Sequence, residues 1–329
     1  MYFENLVEDW TKYDFNVNCD KGMQLERGYR ITPSADDVGD YTLSIVVSNS
    51  DGSATFGATL HIVSASANSG VTKTLIILGD STTYNGIAVT KLNENFADDV
   101  MNISTIGTMG TSPNNHEGRS GWKLSDYFTK ASITYTDGRG TIYNPFYNPT
   151  TQTFDAAYYF ANSGIAKPDW FFINMGINDV FAQTTDAALR TQIETCIEYV
   201  DSMIESIGGA SESTKIGLCL TIPPNHSQDA FGKSYACGQT RDRYKRNNLL
   251  WVHSLIETYS NRTGDGIYLI PIYTNLDTVY NMGLETLPVN ARNTDVTYQS
   301  PIGNGGVHPV SSGYWQIADV YTAFLKSQA

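Results

Sequence analysis

Hydrophobic and polar positions fall into two patterns along the chain. Up to about residue 68 apolar positions alternate with polar ones. From residue 71 short, nearly continuous apolar runs alternate with stretches of 3.6-residue periodicity. Tyr41 to Ser48 and Ala54 to Val63 alternate, and Asn49-Ser-Asp-Gly52 between them has turn chemistry, so this region predicts a β-hairpin. Gly28 to Pro33 predicts a shorter strand before it, and Ser64 to Gly70 reads as a small-residue linker. Further strands are expected at 74–78, 101–106, 170–175, 215–221 and 266–272. The first, third and fourth of these are apolar almost throughout, as strands covered on both faces are. Helices are expected over 186–207, 241–259 and 311–325. In the first of them Leu189, Ile193, Cys196, Ile197, Val200, Met203, Ile204 and Ile207 fall at helical spacing. Thr184 or Thr185 can cap its start and Gly208-Gly209 can end it. Strands alternating with helices predict an α/β fold with a central parallel sheet over residues 71–329, preceded by a small β-rich unit over 1–70. The stretches 126–168 and 273–307 read as long loops rich in Tyr, Asn, Pro and Thr, where function tends to concentrate.

Composition narrows the class. The chain has 329 residues, with 21 Lys plus Arg against 34 Asp plus Glu, a formal charge of −13. That balance makes a phosphate backbone a poor partner, so nucleic acid is not expected. No apolar run approaches ~18 residues, so no membrane span is expected. The four cysteines form no C-x-x-C pair. Cys196 and Cys219 read as buried hydrophobes, and a Cys19–Cys237 pairing stays open. No His/Cys/Asp spacing reads as a metal site, and no metal or cofactor is expected. The N-terminus lacks the basic and apolar regions of a signal peptide. The loop composition leans toward an extracellular or cell-surface setting, with a cytoplasmic one left open.

Ligands of an open parallel sheet bind beyond the C-terminal ends of its strands. Gly79-Asp80-Ser81 follows the first predicted strand, and Asn115-His-Glu-Gly-Arg-Ser-Gly-Trp122 follows the second. Gly176-Ile-Asn178-Asp179 follows the third, and Val307-His308-Pro309 precedes the last helix. A serine, two glycine-flanked polar loops and a histidine therefore converge on one edge. A serine hydroxyl attacks a carbonyl only when a base takes its proton, and imidazole titrates in the right range to be that base.

These blocks, in this order, resemble the GDSL, or SGNH, hydrolase family over about residues 72–329. The resemblance implies a flavodoxin-like three-layer α/β/α fold. It also implies Ser81 as nucleophile, His308 as base, and an oxyanion hole made by the Ser81 N–H, the Gly121 N–H and the Asn178 amide. Gly118 is the runner-up for the glycine. Where the family has an Asp three residues before the His, this chain has Gly305, so a backbone carbonyl or an acid such as Asp295 is expected to orient the ring. Asp80 and Asp179 are expected to brace their loops, while His116, Glu117 and His226 could touch substrate. The segment from Pro33 to Val63 resembles the last strands of an immunoglobulin-like sandwich.

The substrate is the least legible part. Tyr135, Tyr143, Phe146, Tyr147, Tyr158 and Tyr159 mix with Asn and Thr, which suits stacking on sugar rings better than burial of an acyl chain. Relatives of the family remove acetyl groups from polysaccharides. The resemblance therefore leads to an expected O-acetyl esterase acting on an acetylated carbohydrate through an acetyl-enzyme on Ser81. The alternatives are a lipid esterase or thioesterase using the same site, and a non-catalytic glycan-binding or adhesion module.

Overall fold

Alternation in the N-terminal region does form antiparallel sheet. The computed structural model describes residues 1–301 and 305–328. Strand β1 (Asp14–Asn18) is followed by the short hairpin β2 (Met23–Leu25) and β3 (Gly28–Arg30), then by the long hairpin β4 (Gly39–Asn49) and β5 (Gly52–Ile62). The order β1-β4-β5 makes a three-stranded antiparallel sheet. Its register pairs Phe15 with Val47 and Ile45 with Phe56, so the apolar residues share one face. The chain start is tied to the second half of the molecule. Asn5 Nδ2 donates to the Tyr273 and Leu276 carbonyls, both at 2.8 Å, and Arg27 bridges Glu4 and Asp277 at 2.6 and 3.1 Å.

The apolar runs form the parallel sheet. The chain runs through β6 (Thr72–Gly79), α1 (Ser81–Tyr84), α2 (Ile87–Ala97), β7 (Asn102–Thr105), β8 (Glu117–Gly118) and α3 (Leu124–Thr129). Two small hairpins follow: β9 (Ser132–Tyr135) with β10 (Gly140–Tyr143), and β11 (Tyr147–Asn148) with β12 (Thr153–Phe154). Next come α4 (Ala156–Asn162), β13 (Trp170–Asn174), α5 (Ile177–Phe181), α6 (Asp186–Ala210), β14 (Lys215–Cys219), α7 (Gln228–Tyr235), α8 (Arg241–Tyr259) and β15 (Ile267–Ile270). A hairpin of β16 (Leu284–Asn290) and β17 (Asn293–Pro301) precedes the last helix, α9 (Ser311–Gln328).

The strand order is β15-β14-β13-β6-β7, all parallel, with β8 paired to the end of β6. Leu75 to Leu78 and Trp170 to Ile173 are buried on both faces. Helix α2 packs on α9, and α6 on α4 and α8. This is the α/β fold with covered sheet faces that the sequence predicts.

Two expectations change. Helix α6 does not stop at Gly208-Gly209 but runs on to Ala210, with the Ser211 N–H closing on the Ile207 carbonyl at 2.9 Å. Neither glycine takes a positive φ there, so nothing terminates the helix at that point. The stretches 126–168 and 273–307 are not continuous loops, since they carry three hairpins and α4. In the first stretch, strands of two to four residues leave too little alternation to read, and the β9–β10 turn depends on Gly138 and Gly140 at φ +92° and +74°.

Candidate active site

The nucleophile turn is built by a glycine and a cap. A Cβ on Gly79 would lie 2.1 Å from Thr83 Oγ1, so only glycine lets β6 turn this tightly into α1. Asp80 caps the turn, its Oδ1 accepting from the Thr82 N–H and the Thr82 hydroxyl, both at 2.8 Å. Ser81 is thereby the first residue of α1, where backbone N–H groups have no partner within the helix.

His308 arrives from the loop before α9, and its Nε2 lies 2.8 Å from Ser81 Oγ. Asn225, fully buried after β14, holds that loop. Its backbone N–H donates to the Gly306 carbonyl and its Nδ2 to the Gly305 carbonyl, each at 3.0 Å. Nothing in the sequence marks Asn225 for this role. Asp295 sits at an exposed position of β17, and residues 302–304 lie outside the described residues.

The second glycine-flanked loop makes a tight turn beside the serine. The Trp122 N–H reaches the Arg119 carbonyl at 3.3 Å and Gly121 has φ +76°, the signature of a type II turn. Of the two candidate glycines, Gly118 donates its N–H to His116 Nδ1 at 3.1 Å. Among the described residues, the N–H groups of Gly121 and Ser81 reach no backbone acceptor. A Cβ on Gly118 would lie 2.4 Å from the Tyr84 nitrogen, which gives that glycine a packing reason. Asn178, the second residue of α5, donates Nδ2–H to the Trp122 carbonyl at 2.9 Å. A primary amide carries two N–H groups, so one orients the side chain and the other remains for a ligand.

Under this turn lies a buried ionic network. Glu117 and Arg119, both fully buried, pair at 2.8 Å. Glu117 also accepts from the Tyr159 hydroxyl at 2.8 Å and the Thr108 hydroxyl at 2.9 Å. Arg119 spends its other donors on the Gly118 carbonyl at 3.1 Å and the Tyr143 carbonyl at 3.2 Å. The Tyr127 hydroxyl joins the Gly79 and Glu117 carbonyls at 2.9 and 2.8 Å. Glu117 and His116 therefore brace the site from inside and do not face substrate. Burial pushes His116 down to about 4, so its ring is neutral and Nδ1 is free to accept. Burial likewise raises Asp80 to about 6 and Asp179 to about 7. Asp179 accepts the Leu124 N–H at 3.1 Å, which ties α5 to α3.

The aromatic candidates separate into two groups. Phe146 and Tyr159 are core residues, stacked at 4.1 Å. Tyr143 is 72% exposed. Together with the half-buried Tyr147 and Tyr158 it lines a cleft of about 340 Å³ that also presents Asn162 and Ser163. Tyr135 donates its hydroxyl to the Ser120 carbonyl at 2.6 Å. His226 binds back to the Thr278 carbonyl through its N–H at 3.2 Å. All four cysteines are free thiols, so Cys19 and Cys237 are unpaired. No group of three or more potential metal-ligating side chains occurs among the described residues, and no described helix is long and apolar enough to cross a membrane.

A parallel sheet with a hydrogen-bonded serine and histidine at its carboxyl edge is the arrangement of an α/β ester hydrolase. The family model described as GDSL-like Lipase/Acylhydrolase matches residues 75–320, and the chain belongs to that family. The protein is thus a carboxylic ester hydrolase of the acylhydrolase type. Similar solved structures include a carbohydrate esterase family 3 protein from Talaromyces cellulolyticus, at 16% identity and TM-score 0.46, covering 78% of this chain and 97% of that one. A family 3 carbohydrate esterase from Clostridium thermocellum is 17% identical with TM-score 0.44, covering 78% and 98%. A possible lipase from Chitinophaga pinensis is 16% identical with TM-score 0.43, also covering 78% and 98%. No curated protein matches the chain.

Proposed function

We propose that the protein removes O-acetyl groups from a carbohydrate through an acetyl-enzyme on Ser81. The observation that carries this reading is the 2.8 Å contact between Ser81 Oγ and His308 Nε2 beside a turn with unspent N–H groups. Ser81 Oγ attacks the acetyl carbonyl carbon while His308 Nε2 takes the hydroxyl proton. Charge then develops on the carbonyl oxygen, where the N–H groups of Ser81 and Gly121 and the second N–H of Asn178 stabilise it. The bond to the sugar oxygen breaks and His308 returns the proton to that oxygen. Water next attacks the acetyl-enzyme, losing a proton to His308, and acetate leaves as Ser81 regains its hydrogen.

The carbohydrate part of the reading rests on the cleft of Tyr143, Tyr147 and Tyr158. Tyrosine rings lining a cleft beside amide and hydroxyl groups match the alternating apolar faces and hydroxyl edges of a sugar ring. The cleft joins the nucleophile turn through Arg119, whose backbone N–H donates to the Gly79 carbonyl and whose Nε donates to the Tyr143 carbonyl.

The test is a series of p-nitrophenyl esters of increasing acyl length, followed by acetate release from acetylated xylan, mannan and pectin. Acetate should be the preferred acyl group and at least one polysaccharide a substrate. A preference for acyl chains of about eight carbons or more would overturn the acetyl reading. Turnover of the small ester with no acetate from any polysaccharide would overturn the carbohydrate reading.

A further inference from the structure

The peptide unit between Ser120 and Gly121 is planar and trans, so its carbonyl and its N–H point in opposite directions. Its N–H is the Gly121 donor of the proposed oxyanion hole. Its carbonyl is the one that accepts the Tyr135 hydroxyl at 2.6 Å. This peptide is the central one of the turn from Arg119 to Trp122. Such a peptide can flip between type II and type I geometry with little movement of its flanks. Glycine at the third position permits both forms, and the space around a Gly121 Cβ is open, so side-chain packing there does not select one.

Tyr135 itself is firmly placed. It pairs with Gly140 in the β9–β10 hairpin. The Arg139 guanidinium lies 3.7 Å from its ring centroid and 5.4 Å from that of Tyr84, on the helix that begins with Ser81. Arg139 is in turn forked onto Asp137 at 2.7 to 3.0 Å. Burial raises the pKa of the Tyr135 phenol, so it keeps the proton that it donates.

We propose that Tyr135 is a positioning residue for acyl transfer. Its hydroxyl anchors the Ser120 carbonyl, which fixes the opposite face of the same peptide, the Gly121 N–H, toward the reacting carbonyl and polarises it as a donor. The inference rests on the reading of the Gly121 N–H as an oxyanion donor.

No side-chain change deletes the Gly121 N–H, and proline cannot adopt φ +76°. Tyr135→Phe is therefore the direct test, because it removes the hydroxyl and keeps the ring that stacks with Arg139. Deleting a whole oxyanion donor costs about 10²–10³ in kcat, and loosening one should cost roughly tenfold. The expected result is a kcat for p-nitrophenyl acetate lowered roughly tenfold, with KM within about twofold of wild type. A boronic acid, which forms a tetrahedral adduct on the serine, should bind more weakly by a similar factor, measured per titrated active site. An unchanged kcat, or a loss carried by KM with boronate affinity intact, would overturn the proposal. Ser81→Ala, assayed in parallel, keeps the two readings apart. If that variant retains the wild-type rate, the esterase role of Ser81 fails. If it drops to background while Tyr135→Phe matches wild type, only the positioning role fails.

Discussion

Ser81 Oγ and His308 Nε2 lie 2.8 Å apart although 227 residues separate them in the chain. Two groups that act as one unit give strongly non-additive losses when removed. Ser81→Ala and His308→Ala should each lower kcat on p-nitrophenyl acetate by at least about 10³-fold, and the double variant should be no slower than the worse single one. A double variant slower by the product of the two losses would mean that the residues act independently. Asp295→Asn, at an exposed position of β17, should stay within about twofold of wild type.

Asn178 spends one amide hydrogen on the Trp122 carbonyl, and the proposed mechanism gives the other to the substrate oxygen. Asn178→Ala is expected to lower kcat by about 10²–10³ while KM changes little, since an oxyanion donor acts in the transition state. A variant that changes KM alone would place Asn178 in ground-state binding.

The sequence carried the strands of the central sheet because each is a dense apolar run, and it carried Ser81, Asn178 and His308 because each closes a short motif at a strand end. Gly121 was less distinct from Gly118. What separates the two glycines is a contact that no motif contains, the Gly118 N–H bound to His116. Asn225 was invisible as a functional residue, and Tyr135 was visible only as a stacking ring, not as a hydroxyl donor to the Ser120 carbonyl. Each acts by holding a backbone carbonyl far away in sequence, and such contacts leave no periodicity or spacing. Phe146 and Tyr159 were read with the exposed tyrosines because composition does not report which face of a loop is packed.

The Tyr143, Tyr147 and Tyr158 cleft gives a prediction that separates binding from chemistry. Tyr143→Ala should raise KM for an acetylated polysaccharide several-fold and leave p-nitrophenyl acetate turnover within about twofold, because a small ester does not reach a stacking face. Equal effects on both substrates would mean that the Tyr143 side chain supports the structure around the site and not substrate binding.

The Glu117–Arg119 pair is fully desolvated and every partner around it is polar. Removing one member of a buried pair leaves an uncompensated charge, at a cost of about 3–5 kcal/mol. Glu117→Ala should therefore lower the urea midpoint markedly, more than the double change of Glu117→Ala with Arg119→Met, which leaves no buried charge. A midpoint unchanged in the single variant would mean that water reaches the pair.

His116 ties stability to pH in a direction that can be worked out. Its ring is buried, its Nδ1 accepts the Gly118 N–H, and its pKa falls from the ordinary 6.5 to about 4. Between those values the unfolded chain binds a proton at this residue that the folded chain refuses. Stability from this group is thus fully present above about pH 6.5 and is lost as pH falls toward 4. Asp80 and Asp179 act the other way. Their carboxyls are raised from the ordinary 3.8 to about 6 and about 7, so the folded chain holds extra protons there and acidification over that range favours folding. Total stability therefore mixes opposed slopes, and a comparison of variants isolates one of them. In His116→Asn the side-chain oxygen can accept the Gly118 N–H with no group that titrates in this window. The stability of wild type relative to His116→Asn should fall as pH is lowered from 7 to 4.5, measured by thermal unfolding at each pH. A difference that stays constant across that range would mean that His116 takes up its proton in the folded state, and that the Gly118 contact gives way when it does.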